Sequence, residues 1–268
     1  MFSIRQYSRR VVQVASLLLL NSSWGPELKW FCAPVLNCHS CALAWFACPI
    51  GVFVHFAGYR IFPFLALGTV LLLGVAFGRL LCGWVCPFGF LQDLLHKLPG
   101  RKFALPAWTG YIRYGVLFLM VLLLPFLLGE ETAYSFCRIC PASALQVTIP
   151  HFIGAGRFTI STATVVKLAI LMAVLVFAVL SSRSFCKVLC PLGALLAPLN
   201  LVSFWTVRFA PGCSLCKQCD RECPVDGQPS ARISAGRAPN RALDCIVCHD
   251  CASACPQKEK EVRQAQNA

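Results

Sequence analysis

The sequence predicts an all-α polytopic membrane protein, with four transmembrane helices in two parallel repeats and a small C-terminal α+β domain. Three observations lead there. Of 268 residues, 57% are hydrophobic and 13% charged, about half the charge of an ordinary water-soluble domain. Cysteine occurs 18 times, and the chain aligns with itself at an offset of 104 residues. A single water-soluble domain is excluded. The net charge of +13 would suggest nucleic acid in a soluble chain. Here it is read as membrane orientation and as compensation for anionic cofactors, so membrane lipid is an expected partner and nucleic acid is not.

A bilayer core of about 30 Å takes about 20 apolar residues in a helix. Four stretches approach that length, residues 11–24, 61–81, 111–128 and 164–180, the first interrupted by Asn21, Ser22 and Ser23. The stretch 42–57, which contains Pro49 and His55, is taken as too short for a span and is read as a re-entrant or interfacial helix. Arg5, Arg9 and Arg10 precede the first span, Lys97, Arg101 and Lys102 separate the second from the third, and Arg183 and Lys187 follow the fourth. The bias of Lys and Arg toward the cytoplasm puts all of these inside, with Glu130 and Glu131 in an outward loop. Ser8-Arg9-Arg10 is faintly like a twin-arginine signal, and the basic flank of an uncleaved span is preferred. The expectation is a multi-pass protein of the bacterial cytoplasmic (inner) membrane with both termini cytoplasmic. Residues 1–207 form its transmembrane domain and 208–268 a separate cytoplasmic one.

The tail holds eight of the cysteines. Cys213, Cys216, Cys219 and Cys223 precede Pro224, and Cys245, Cys248, Cys251 and Cys255 precede Pro256. This is C-x2-C-x2-C-x3-C-P, the bacterial ferredoxin run, twice. Three cysteines in one tight loop hold three corners of a cubane, and the fourth reaches the neighbouring cluster. Cys213, Cys216, Cys219 and Cys255 are therefore assigned to one [4Fe-4S] cluster, and Cys245, Cys248, Cys251 and Cys223 to a second, in a bacterial-type 2[4Fe-4S] ferredoxin domain. Zinc ribbons also use C-x2-C pairs, but four cysteines per run with proline after the last favour iron–sulfur. Cys245 to His249 fits the C-x-x-C-H haem pattern as well. Both of its cysteines belong to the run, so His249 is taken as a surface residue. A tail this short cannot bury a self-sufficient core, and its folding is expected to depend on its clusters.

In the membrane part, Arg79-x2-Cys82-x3-Cys86-Pro87-x-Gly89 falls on Arg183-x2-Cys186-x3-Cys190-Pro191-x-Gly193. Parallel repeats pack about a pseudo-twofold axis along the membrane normal. Such an axis brings Cys82, Cys86, Cys186 and Cys190 together near the inner face, as ligands of a third [4Fe-4S] cluster; buried free thiols are the plainer alternative. Arg79 and Arg183 either offset the cluster's charge or cap span ends against headgroups. At the outer face Cys32, Cys38, Cys41, Cys48, Cys137 and Cys140 are six candidates for one more iron–sulfur centre. Repeat symmetry favours Cys38, Cys41, Cys137 and Cys140, while Cys48-Pro49-Ile50-Gly51 echoes Cys86-Pro87-Phe88-Gly89. A set of disulfides is the competing reading.

With its tandem motifs Cys82-Gly83-Trp84-Val85-Cys86-Pro87 and Cys186-Lys187-Val188-Leu189-Cys190-Pro191 and its double ferredoxin run, the chain from Arg9 to Pro256 resembles the NapH-type membrane-bound polyferredoxins. That family includes a 4Fe-4S quinol dehydrogenase component and is related to membrane regulators of nitrous oxide reduction. The resemblance implies four spans, cytoplasmic clusters and electron transfer between the quinone pool and a partner redox protein. The segment from Cys32 to Cys48 goes beyond the family pattern. The function expected is electron transfer through iron–sulfur clusters between the quinone pool or an extracytoplasmic centre and a redox partner, such as other redox subunits or an extracytoplasmic reductase. Nothing resembles a hydrolytic triad, a nucleotide loop or a flavin fingerprint, so no catalytic side chain is named. His55 and His151 could assist quinol deprotonation, and interfacial positions explain them equally. The alternative function is a maturation or regulatory polyferredoxin that supplies reductant or senses redox state, or an outer-face thiol relay.

Overall fold

The computed structural model describes residues 4–23, 28–129, 132–155, 161–207 and 213–256. Trp24 at the end of the first apolar stretch, the outward Glu130 and Glu131, and Arg208, where the tail is expected to begin, lie outside the described residues. Among the described residues two helices are long and apolar enough to cross a membrane, Ala107–Leu128 with 22 residues and Thr162–Leu180 with 19. Phe118, Phe126 and Leu127 on the first and Val176 and Phe177 on the second are exposed, an apolar surface suited to lipid and not to water.

The other two expected spans fall short, and the architecture of four transmembrane helices in two repeats falls with them. The first stretch is the 17-residue helix Ile4–Leu20, and just beyond it Asn21 turns its side-chain amide back onto the Leu17 carbonyl. In the second, Pro63 stands before the first turn and Gly78, at φ 61°, ends the last, leaving the 14 residues Phe64–Phe77. That is about 21 Å of helix against a bilayer core of about 30 Å. A count of apolar residues passes over both breaks. The chain is not all-α either, because Leu28–Cys32 pairs in parallel with Phe46–Ala47. Conversely the tail, expected to be α+β, shows among its described residues only the short helices Gln218–Arg221, Pro229–Ser234 and Asp250–Ser253. Its cysteine loops consume the chain that strands would need. Residues 42–57 contribute the helix Pro49–Gly58.

Helix Ala107–Leu128 widens to a π turn over Leu117–Leu123, just ahead of Pro125, and Ala144–Thr148 does the same ahead of Pro150. Proline lacks an N–H and its ring collides with the carbonyl one α-turn back; the wider register accommodates it without ending the helix.

The two C-x3-C-P segments are joined by arginines exchanged between repeats. Arg183 crosses to the first repeat, where Nε and Nη2 donate to Asp93 Oδ1 and Oδ2 at 2.7 and 2.6 Å and Nη1 to the Cys82 carbonyl at 2.8 Å. A Cβ at Gly89 would stand 3.2 Å from Arg183 Nη1, and one at Gly193 3.0 Å from Arg79 Nη2. Each repeat's glycine thus makes room for the other's arginine. Both arginines are wholly buried, which excludes the headgroup role. Burial pushes the Asp93 carboxyl up, but the charge and hydrogen bonds of Arg183 outweigh it and hold the group below the ordinary carboxylate value. Arg9, read in the sequence as part of the basic flank of a span, is also buried and bridges Asp93 at 3.6 Å and Asp250 of the tail at 2.5 Å.

The tail is seated on the first repeat. A Cβ on Gly83 would fall 2.4 Å from the Ile246 carbonyl oxygen, so the missing side chain is what lets the second cysteine run lie against this loop. The repeat-related position is Lys187, whose Nζ donates to the Leu105 carbonyl at 2.7 Å and pairs with Asp226 at 3.5 Å. Trp84 Nε1 donates to the Val247 carbonyl at 3.1 Å, Arg79 Nη1 to the Leu243 carbonyl at 2.7 Å, and Arg113 pairs with Asp244 at 2.9 Å. Asn200, wholly buried, directs its amide at the carbonyls of Asn240, Ala242 and Cys245 at 2.7, 2.8 and 3.1 Å.

Two outcomes follow from these contacts. Arg183→Met leaves Asp93 charged and poorly matched in a desolvated place, a loss of about 3–5 kcal/mol. The unfolding midpoint of anaerobically purified protein should drop sharply, and Arg183→Lys should recover little of it, because one ammonium cannot serve both carboxylate oxygens and the Cys82 carbonyl. Asn200→Ala strands buried carbonyls at about 1–3 kcal/mol each. Limited proteolysis should then release the tail faster than from the parent chain, and an unchanged rate would mean that Asn200 does not hold it.

Candidate metal centres

The two tail runs share one backbone. Leu215 and Lys217 flank Cys216 with φ of 54° and 55°, and Val247 and His249 flank Cys248 with φ of 53° and 65°. None of the four is glycine, and the left-handed conformation costs each about 1 kcal/mol or more, most for β-branched Val247. In return, alternating right- and left-handed residues turn successive N–H groups toward one concavity suited to an anion. Some reach sulfur: the Val247 N–H donates to Cys245 Sγ at 3.4 Å and the Gly227 N–H to Cys223 Sγ at 3.3 Å. Cys223, Cys245, Cys248 and Cys251 line a cavity of about 240 Å³. A smaller one is lined by Cys213, Cys216, Cys219 and Cys255, and by Cys251, which lines both. Cys223 of the first run therefore sits among the second, and Cys255 of the second among the first. His249 is not a surface residue: it is half-buried, edge-on to Trp84 and Trp205 at centroid distances of 5.9 and 6.3 Å, and Nε2 accepts from the Trp205 indole at 3.3 Å.

Cys82, Cys86, Cys186 and Cys190 are all buried, and each is near enough to feel the charge of at least one other, Cys190 that of all three. Cys86 and Cys190 cap the helices Pro87–Leu95 and Pro191–Val202, with proline in the first turn of each, where its missing N–H is not needed. The Gly193 N–H donates to Cys190 Sγ at 3.4 Å, and Gln92 Nε2 to Cys186 Sγ at 3.0 Å. Arg183 acts electrostatically on both Cys186 and Cys248 and so stands between this set and the tail. Sequence reasoning missed Gln92 and Asp93. They were visible as polar residues of the first repeat where the second has Leu196 and Ala197.

A third cavity, of about 330 Å³, is lined by Cys38, Cys48, Cys137 and Cys140, with His39, His55 and Lys167 also on its wall. Cys32, at the end of the strand Leu28–Cys32, and Cys41 are buried but do not line it. His151, in the helix Ile149–Ala155, is exposed and is not among the residues that line it. The structure thus gathers Cys48 with Cys38, Cys137 and Cys140, and leaves out Cys41, which repeat symmetry favoured.

Burial pushes these thiols up, Cys186, Cys140 and Cys245 to about 11 and Cys48 and Cys251 to about 12. A metal-free chain therefore carries neutral thiols at these positions, and metal loading must release protons. Among the described residues no three His, Cys, Asp or Glu side chains converge on one point as a single ion requires. A cubane holds its irons at separate corners, and buried thiols that ring a volume and receive N–H donors fit that body.

The family described as a 4Fe-4S binding domain matches the chain twice, over residues 59–106 and 164–208. Each match contains one C-x3-C-P pair. The tail runs and Cys38, Cys48, Cys137 and Cys140 fall outside both. Uncharacterized protein MJ0750 of Methanocaldococcus jannaschii is 30% identical over 197 residues, 70% of this chain and 73% of that protein. Putative electron transport protein YccM of Escherichia coli is 27% identical over 202 residues, 72% of this chain and 53% of its own length. Ferredoxin-type protein NapH of Escherichia coli is 27% identical over 188 residues, 67% of this chain and 60% of its own length; the chain thus spans less than two thirds of these last two. Among solved structures none matches. The doubled match coincides with the repeat that gathers Cys82, Cys86, Cys186 and Cys190, and the chain belongs to the NapH-type family of ferredoxin-like, 4Fe-4S-binding membrane proteins.

Proposed function

We propose that this protein carries electrons through iron–sulfur clusters between the quinone pool, or a centre on the outer side of the membrane, and a redox partner. The observation that carries the reading is the contact of Gly83 with Ile246, where a Cβ would fall 2.4 Å from the carbonyl oxygen. Through it the thiols of the second tail run and those of the C-x3-C-P pairs lie in adjoining loops, with no side chain of residue 83 between. The assignment is two [4Fe-4S] clusters in residues 208–268, on the two tail sets described above, a third on Cys82, Cys86, Cys186 and Cys190, and a fourth centre among the remaining cysteines. A [4Fe-4S] cluster held by such thiolates takes up and gives back electrons one at a time, at a potential set by its charge and hydrogen bonds.

The chain's own part is positioning and electrostatics. Arg183 offers positive charge to Cys186 and Cys248 together, and Gln92 and the Gly193 N–H fix two of the sulfurs. One apolar core contains Cys48 and Cys140 as well as Cys82, Cys86 and Cys190, so close packing excludes water from the interval between the far cavity and the C-x3-C-P set. Lys97, Arg101 and Lys102 precede helix Ala107–Leu128, which supports a cytoplasmic position for that end and for the tail packed beside it. Cys137 and Cys140, between the two apolar helices, then face the other side.

Anaerobically prepared protein should hold about sixteen irons, four per cluster. Cys86→Ala and Cys190→Ala should each remove the same electron paramagnetic resonance signal and about four irons, and the double variant should lose no more than either. Additive losses would mean two separate sites. The tail signals should persist in the double variant while quinol-linked reduction of the tail stops; continued reduction would sink the order proposed.

A further inference from the structure

We infer that Cys38, Cys48, Cys137 and Cys140 are the four ligands of one [4Fe-4S] cluster, with Lys167 as its counter-charge. The inference rests on the electron-transfer reading above and names the ligands of its outer end. The four thiols wall a cavity of about 330 Å³, more room than the 240 Å³ enclosed by Cys223, Cys245, Cys248 and Cys251. Cys38 lies near enough for its charge to act on Cys48, Cys137 and Cys140, and Cys140 near enough to act on Cys48 and Cys137.

Local geometry repeats that of the C-x3-C-P set. Cys86 and Cys190 precede prolines at helix starts with φ, ψ of −64°, 117° and −72°, 111°. Cys48 and Cys140 precede Pro49 and Pro141 at helix starts with −71°, 123° and −62°, 123°. In all four the backbone N–H groups two and three residues on are free of helical partners; those of Ile50 and Gly51 turn to the Cys48 sulfur, and those of Ala142 and Ser143 to Cys140. The chain thus uses one thiol-presenting turn four times, twice around each set.

Lys167 gives the second, independent sign. It is the one charged residue of the helix Thr162–Leu180, where lysine is costly if the helix meets lipid and marks a functional site. Its Nζ donates to Ser143 Oγ at 2.8 Å and its charge faces Cys38, Cys137 and Cys140. Among the described residues no carboxylate faces that ammonium, and a thiolate-ligated cluster supplies the anion that neutral thiols or disulfides would not. Gln146 explains why the third ligand is Cys38 and not Cys41. Its Oε1 accepts from the Cys38 N–H at 2.7 Å and its Nε2 donates to Asn37 Oδ1 at 2.5 Å, tying this turn to the segment that bears Cys137 and Cys140.

The test uses the full chain, purified anaerobically, with iron counting and Mössbauer and paramagnetic resonance spectroscopy. Cys48→Ala and Cys140→Ala should each lose the same signal and about four of sixteen irons, while Cys41→Ala and Cys32→Ala keep all sixteen. Lys167→Met should keep the irons and shift the midpoint potential of that one signal downward, since a cation beside a cluster favours its reduced form. About twelve irons in the unmutated chain, or an equal loss in Cys41→Ala, overturns the inference even if a Cys48 variant fails to fold. Tail and C-x3-C-P signals that are present but not reducible by quinol or partner would sink the electron-transfer reading and leave this ligand set standing.

Discussion

Arg183 occupies a place where a guanidinium is tolerated only if its donors are matched, because a buried charge without partners costs several kcal/mol. The match comes from the other repeat: Asp93 takes two of its hydrogen bonds and the Cys82 carbonyl a third. Arg79 reaches across the opposite way, past Gly193, to the Leu243 carbonyl of the tail. The second repeat therefore cannot reach its native form without the first, and Arg79 of the first finds its carbonyl partner in the tail. The approach of Cys186 and Cys190 to Cys82 and Cys86 goes with the Arg183 contact, since Arg183 lies a few residues before the cysteine pair of its own repeat.

The tail depends on the same junction. Its apolar clusters are small, one of Val247 and Ala252 with Val207 just before the tail and one of Val225, Ile246 and Cys248, too little to order some 45 residues unaided. Five left-handed non-glycine residues, Leu215, Lys217, Asp226, Val247 and His249, add strain. The contacts of Asn200, Arg79, Arg113, Trp84 and Arg9 supply the missing order from outside. Rigidity at the tail is in good part borrowed from the membrane part.

How far each feature could be read from the sequence depended on how local its cause was. The grouping of the tail cysteines was legible because seven consecutive residues place three of each four, and that of the C-x3-C-P cysteines because a repeat is itself a statement about symmetry. The cysteines around the third cavity were legible only as six candidates. Cys38 and Cys48 are ten residues apart, with a crossover between parallel strands in the interval, and such a loop has no spacing rule. Cys140-Pro141, written in the same Cys-Pro form as Cys48-Pro49, was the signal that could have paired them. The spans were misjudged where backbone overrode composition, at Pro63 and Gly78. Of the two readings open for Arg79 and Arg183 burial removes the headgroup one, and Asp93, the partner of Arg9 and Arg183, is distant from both in sequence and so invisible to a rule that sees flanks.

Residue 83 is glycine and its counterpart, residue 187, is a buried lysine. A twofold pair of loops with glycine in both would offer two equivalent berths for the tail, and the molecule could exist as two isomers differing in which half was covered. Lysine closes the second berth with a side chain and fastens Asp226 from the side. The tail accordingly has one address. The near-symmetric group of sulfurs beneath it has one face turned toward the tail run of Cys245, Cys248 and Cys251 and another toward the interior, so a symmetric scaffold acquires a direction from a single pair of unequal residues.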